Sequence, residues 1–118
     1  MNNPAEVYKA LADETRVRIL ALLHEDDLCV CQICGILGES QAKISRHLAK
    51  LRELKLVTTR RQEQFVRYSL NRDHRFLMDT LDVLHNYRDV VSVLRDDRDR
   101  SASKDDLLAA CRSDEQKI

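Results

Sequence analysis

A mainly α (α+β) fold, several helices with one β-hairpin, is predicted for these 118 residues by three observations. Apolar side chains recur every three to four positions through most of the first 54 residues, then alternate between Leu56 and Leu70. Helical spacing returns from Arg75. Residues suited to opening helices, Pro4, Asp13 and Ser40, stand just ahead of the periodic stretches.

Taken in order, Pro4 suits a first helical position, and Val7, Tyr8 and Leu11 follow at helical spacing. Asp13 is the expected N-cap of a second helix whose apolar side is Val17, Ile19, Leu20 and Leu23. The acidic trio Glu25-Asp26-Asp27 ends it. A third helix is expected to run through "DLCVCQIC", with Ile33, Cys34 and Leu37 on one side, and to stop near Gly38. Ser40 caps a long amphipathic helix with Ile44, Leu48, Leu51 and Leu54 inward and Gln41, Lys43, Ser45, Arg46, Lys50 and Arg52 outward. "LVTTR", "RQEQ" and "FVRYSL" then read as strand, polar turn and strand. From Arg75 one broad helical face is expected to carry Phe76, Leu77, Leu81, Leu84, Tyr87, Val91 and Leu94. Two short helices, the second basic on its open face and followed by a hairpin, describe a winged helix-turn-helix. Residues 1–96 are expected to form this domain. Residues 97–118 form a charged, mostly mobile tail in which only "SKDDLLAACR" has helical character.

Composition narrows the class. Hydrophobic residues make up 43% and charged residues 34%, ordinary for a soluble, helix-rich chain. No apolar run approaches a membrane span, and the first residues lack a basic region followed by an apolar one, so a cytoplasmic protein with no membrane partner is expected. Thiols stay reduced there, and four cysteines do not read as a disulfide framework. The formal net charge is zero, but its distribution is not even: residues 41–72 hold nine Lys or Arg against Glu53 and Glu63, a local +7. Such a basic middle in an acidic frame is an electrostatic footprint for nucleic acid. A helix fits the major groove, and a basic hairpin with Arg60, Arg61 and Arg67 reaches the adjacent phosphates or minor groove. No Gly-rich phosphate loop, Ser/His/Asp set or supported carboxylate pair is present, so no enzyme activity and no organic cofactor are expected. His47 lies in the basic helix, while His24, His74 and His85 read as surface residues.

"LADETRVRILALL", "DLCVCQIC" and "SQAKISRHLAKLRELKLV" together resemble the ArsR (ArsR/SmtB) family of metal-sensing bacterial repressors, over about residues 5 to 95. Within it the chain looks like the branch that senses trivalent arsenic through cysteines on the third helix. The resemblance implies a homodimer, built on the first and last helices, that binds double-stranded operator DNA and is released by As(III) or Sb(III). It places Gln41, Ala42, Ser45 and Arg46 where family members read DNA, with Lys43 and the wing arginines Arg60, Arg61 and Arg67 as phosphate contacts. Family members often carry Gly at the end of the recognition helix and in the wing, where this chain has Lys55 and "RQEQ". The second His/acid pair of the last-helix zinc site is also missing beside Asp79, Asp82 and His85.

The thiols allow three readings: a metal site, a redox pair, or small apolar residues. Three sulfurs without a nearby His suit a soft ion, and trivalent arsenic or antimony takes three where zinc or cadmium wants a fourth. The candidate ligands are therefore Cys29, Cys31 and Cys34, with Cys111 in the tail a bystander. On one regular helix Cys29 would point about 160° from Cys31 and about 140° from Cys34. Either Cys29 precedes the helix or ligation unwinds its first turn, and the expectation favours unwinding. Cys34 shares a face with Ile33 and Leu37 and could be only a core residue. The alternative signals through the same cysteines are thiol oxidation, suggested by Cys31-x-x-Cys34, and a soft divalent metal such as cadmium or lead.

Overall fold

In the computed structural model, which describes residues 3–88 and 91–108, each expected helix start is occupied by a working cap. Helix α1 spans Pro4–Leu11 behind Asn3, whose Oδ1 accepts from the Ala5 N–H at 3.0 Å. Helix α2 spans Glu14–Glu25, with Asp13 Oδ1 accepting from Arg16 N–H at 3.1 Å. After it come β1 (Leu28–Cys29), α3 (Val30–Leu37), α4 (Gln41–Glu53), β2 (Val57–Gln62), β3 (Phe65–Leu70), α5 (Arg75–Tyr87) and α6 (Ser92–Ser101). The three strands form an antiparallel sheet in the order β1-β3-β2. The fold is a winged helix-turn-helix, with the β2-β3 hairpin as the wing. Among the described residues no helix is long and apolar enough to cross a membrane.

One core serves α1 to α5 and the three strands. Ile19, Leu20 and Leu23 from α2 meet Ile33, Ile36 and Leu37 from α3 and Ile44, Leu48 and Leu51 from α4, with Leu28, Leu56, Leu70, Leu77 and Leu81 closing the cluster. Each such side chain, fully withdrawn from water, contributes about 1.5–3 kcal/mol. The angle between α3 and α4 is therefore set by apolar contact. It is also set by Gly38, which ends α3 at φ 68, a conformation open to glycine at little cost.

Two expectations are corrected. The stretch from Arg75 to Leu94 is not one helix: α5 ends at Tyr87 and α6 begins at Ser92 behind an extended Val91. The β-branched Val91 takes the extended N-cap conformation at φ −91, ψ 107, which such a side chain adopts readily. His74 is not a surface residue. It is 2% exposed and caps α5, its Nδ1 accepting from Leu77 N–H at 3.2 Å.

Helix α6 runs across the 96–97 junction suggested by the charge pattern. Asp97, 1% exposed, accepts from Arg18 Nε and Nη2 (both 2.9 Å) and from Arg100 Nη2 at 2.8 Å. Arg100 Nε donates to Ile36 O at 2.6 Å and Arg18 Nη2 to Leu37 O at 3.3 Å, so both guanidiniums also hold the carbonyl end of α3. A cation at a helix C-terminus is favourably placed. Residues 104–108 are again helical, and Leu107 packs against Gly35 so closely that a Cβ there would lie 2.7 Å from its Cδ2. Ser103 precedes this stretch as expected, and its backbone carbonyl accepts the helical bond from Leu107 N–H at 3.1 Å.

Candidate nucleic-acid interface and thiol site

The open face of α4 is built by its cap and its core stripe. Ser40 Oγ accepts from Lys43 N–H at 3.2 Å, fixing the first turn, and Ile44, Leu48 and Leu51 fix the roll of the helix. Gln41, Ala42, Ser45 and Arg46 are left exposed on one side of it. Lys43 is half-buried, with its Nζ 3.2 Å from Glu39 Oε1. His47 packs inward, 3.9 Å from Asp13. Among the described residues Arg46, Arg60 and Arg61 form no ion pair, so their charge faces solvent.

In the wing, Arg60 stands directly opposite Arg67, and Arg61 opposite Val66. Like charges across a strand pair repel, which favours a polyanion alongside. The Arg67 guanidinium is already engaged: Nε donates to Gln62 Oε1 at 2.6 Å and Nη1 to Asp27 O at 2.9 Å. The polar turn is tight, with Gln62 paired to Phe65 and Glu63 at φ 56, so the wing keeps its two-residue turn without glycine.

The cysteines fall on two elements. Cys29 precedes α3: it lies in β1, paired with Arg67 of β3, and is the extended N-cap residue at φ −86, ψ 159. Its N–H donates to Gln32 Oε1 at 2.8 Å, as in a capping box. This overturns the expectation of a helix through all three cysteines. With Cys29 outside, the three sulfurs are no longer bound to the angles of one regular helix. Cys31 and Cys34, three apart on α3, are neighbours. Cys34 is half-buried against the core, and burial pushes its thiol up, only partly offset by a backbone hydrogen bond.

Cys31 is disulfide-bonded, which corrects the expectation of four reduced thiols, whereas Cys29 and Cys34 are thiols. Cys111 lies outside the described residues. No three His, Cys, Asp or Glu among the described residues stand ready to hold a metal ion. The donor chemistry fits a trivalent soft ion through Cys29, Cys31 and Cys34 once Cys31 is reduced.

Sequence reasoning missed Gln32, which is 1% exposed, joins Cys29 to the tail by donating Nε2 to Lys104 O at 3.1 Å, and stands at the capping-box spacing from Cys29. That spacing was the signal for it. Asp97 carried none, since it sits in the uniform charge run "RDDRDR".

The fold and the basic, solvent-facing α4 and hairpin define a winged-helix protein of the regulatory type. The profile described as "Bacterial regulatory protein, arsR family" matches residues 13–59. The chain is 52% identical over 69 residues to the "Arsenical resistance operon repressor" of Escherichia coli K12, covering 58% of this chain and 59% of that protein. It is 42% identical over 71 residues to a cadmium-resistance regulatory protein CadC homolog of Staphylococcus aureus, covering 59% of each. The chain thus spans about three fifths of the length of these relatives. It superposes with a TM-score of 0.61 and 30% identity on a homodimeric winged helix-turn-helix DNA-binding domain of Mycobacterium bovis, described as a possible ArsR-family regulator. That match covers 70% of this chain and 78% of the other. The chain belongs to the arsR family of bacterial regulatory proteins, a family of transcriptional regulators and not of enzymes.

Proposed function

We propose that this chain is a cytoplasmic, homodimeric transcriptional repressor whose affinity for a palindromic operator falls when As(III) or Sb(III) occupies Cys29, Cys31 and Cys34. Gln41, Ala42, Ser45 and Arg46 would face the bases, and Lys43, Arg60 and Arg61 the phosphates, with Arg67 in the same basic field. The observation that carries the reading is the apolar packing of the cysteine-bearing α3 directly on α4 across the short Gly38 turn. When bound, the metalloid supplies three bonds to sulfur. Drawing Cys29 towards Cys31 and Cys34 has to displace β1 or the first turn of α3, and α4 shares a core with α3. Coupling of this kind is worth about 1–3 kcal/mol, and by linkage DNA weakens metalloid binding equally. Similarity to a repressor named for arsenical resistance supports the metalloid, and the three-sulfur donor set supports it over a four-coordinate ion.

The test is fluorescence anisotropy of a labelled palindrome from the protein's own upstream region, titrated with arsenite in reducing buffer. Tight binding reversed by arsenite is expected. Cys31→Ser should bind the operator as wild type does and ignore arsenite; release of that variant by arsenite sinks the assignment.

A second reading is favoured by one observation, the disulfide at Cys31. In it the signal is thiol oxidation, and DNA release follows oxidant and is reversed by reductant. Cadmium or lead acting on the same cysteines is separated by titrating each ion in reducing buffer.

A further inference from the structure

We propose that Arg67 is a positioning residue: it ties the wing to the strand that carries Cys29, so that DNA held by the wing and exposure of the Cys29 sulfur oppose one another. The part concerning DNA rests on the reading above; the tie between Arg67 and Cys29 does not.

Three contacts converge on this one residue. Its backbone pairs with Cys29 across β1 and β3. Its Nη1 holds Asp27 O at 2.9 Å, two residues before Cys29. Its Nε holds Gln62 Oε1 at 2.6 Å, at the tip of the wing. The guanidinium therefore spans from the hairpin turn to the entrance of β1. Two-residue β1 is also held by Leu28 in the core and by the Cys29 N–H bond to Gln32, and Arg67 adds the hold from the wing side, where Cys29 is only 2% exposed. A cleft of about 180 Å³, lined by Cys29, Gln62, Glu63, Phe65, Arg67 and Leu108, lies alongside and gives the sulfur somewhere to open to. Arg60, directly across from Arg67, pushes the two guanidiniums apart. A phosphate beside Arg60 relieves that repulsion and so holds Arg67 where it clamps Asp27. Without DNA the repulsion returns and the clamp loosens. A guanidinium with two fixed hydrogen bonds directed inward and along the hairpin is thus an internal strut, whose charge is felt by DNA without its having to touch it.

The test uses two variants that keep every positive charge. Arg67→Lys retains the charge and loses the paired geometry; Gln62→Ala removes one acceptor and leaves Arg67 intact. Iodoacetamide labelling of Cys29 and Cys34 is followed separately by mass spectrometry in reducing buffer, with and without the operator duplex. In Arg67→Lys without DNA, labelling at Cys29 should rise about tenfold, the effect expected on losing one or two hydrogen bonds that hold a local opening closed, while Cys34 stays unchanged. Gln62→Ala should show the same change to a smaller degree. The duplex should slow Cys29 labelling in wild type and do so less in both variants. Cys29 labelling equal to wild type in both variants overturns the proposal, as does equal protection by DNA in all three proteins. If wild type does not bind the duplex, the repressor reading fails, and the tie from Arg67 to Cys29 is still decided by the DNA-free rates. If both thiols accelerate together in Arg67→Lys, unfolding is the cause, and the rates in Gln62→Ala, altered at an exposed position, decide between the two outcomes.

Discussion

Cys34 differs from an exposed thiol because it is half-buried against the apolar core. Burial raises its pKa above the ordinary 9.0, so at neutral pH it is a poor nucleophile. Its alkylation rate at pH 7–8 should be below that of a model thiol and should still be rising above pH 9.0, where a model thiol begins to level off. A raised thiol pKa also favours the folded state below the unfolded value, and that advantage is lost as pH rises through the folded value. A rate at pH 7 equal to that of a model thiol would show Cys34 to be exposed. At this scale the sequence placed the three cysteines as candidate ligands and named Cys34 as the one with a core-like environment. What it could not show is that Cys29 leaves the helix, because β1 is two residues long and made by pairing with a strand 38 residues further on. His74 was misplaced for a similar reason. Its burial depends on the element packed over it, not on its neighbours in the chain.

Among the elements, α4 ends in a Schellman motif. Leu56 N–H donates to Leu51 O and Lys55 N–H to Arg52 O, both at 3.0 Å, with Lys55 in the left-handed region at φ 62. A non-glycine residue there costs about 1–2 kcal/mol in backbone strain. Lys55→Gly should recover about 1 kcal/mol of it, visible as a higher thermal midpoint, unless the greater freedom of glycine in the unfolded chain cancels the gain. A lowered midpoint would show that Lys55 holds something its backbone does not reveal. The sequence marked this position by the missing glycine, and the structure shows that the turn forms regardless. Helix boundaries at Asp13, Gly38 and Ser40 were legible because capping is local chemistry. The break between α5 and α6 was not, since the apolar spacing continues through it.

For the whole molecule, the decisive group is Asp97. It is almost fully buried between Arg18 and Arg100 and joins α6 to α2 and, through the two arginines, to the end of α3. The hydrogen bond that Arg18 donates to Asp97 holds its guanidinium even more firmly protonated than usual, despite partial desolvation. Asp97→Ala removes the counter-charge of Arg18, whose side chain is 13% exposed, and leaves it the Leu37 carbonyl. Removing one partner of a buried pair costs about 3–5 kcal/mol, and the lower end is expected here because Arg100 reaches solvent. Urea denaturation should show the midpoint fall by a corresponding amount. A change below about 0.5 kcal/mol, the level of an ordinary surface substitution, would mean that α6 is not docked. This long-range contact left no mark in the sequence. The winged helix itself was legible because its parts announce themselves locally, through caps, periodicity and the +7 segment.

The C-terminal stretch through residue 108 crosses the cysteine helix from end to end: Arg100 at its last carbonyls, Leu107 on Gly35, and Lys104 bound by Gln32 near its start. Anything attached at residues 104–108 is therefore coupled to the helix that carries the thiols. A small environment-sensitive fluorophore at exposed Asp105 would then report on those thiols with no DNA in the cuvette. A bulky reporter joined at the same place would instead pull on the sensing helix and blunt the response it was meant to record.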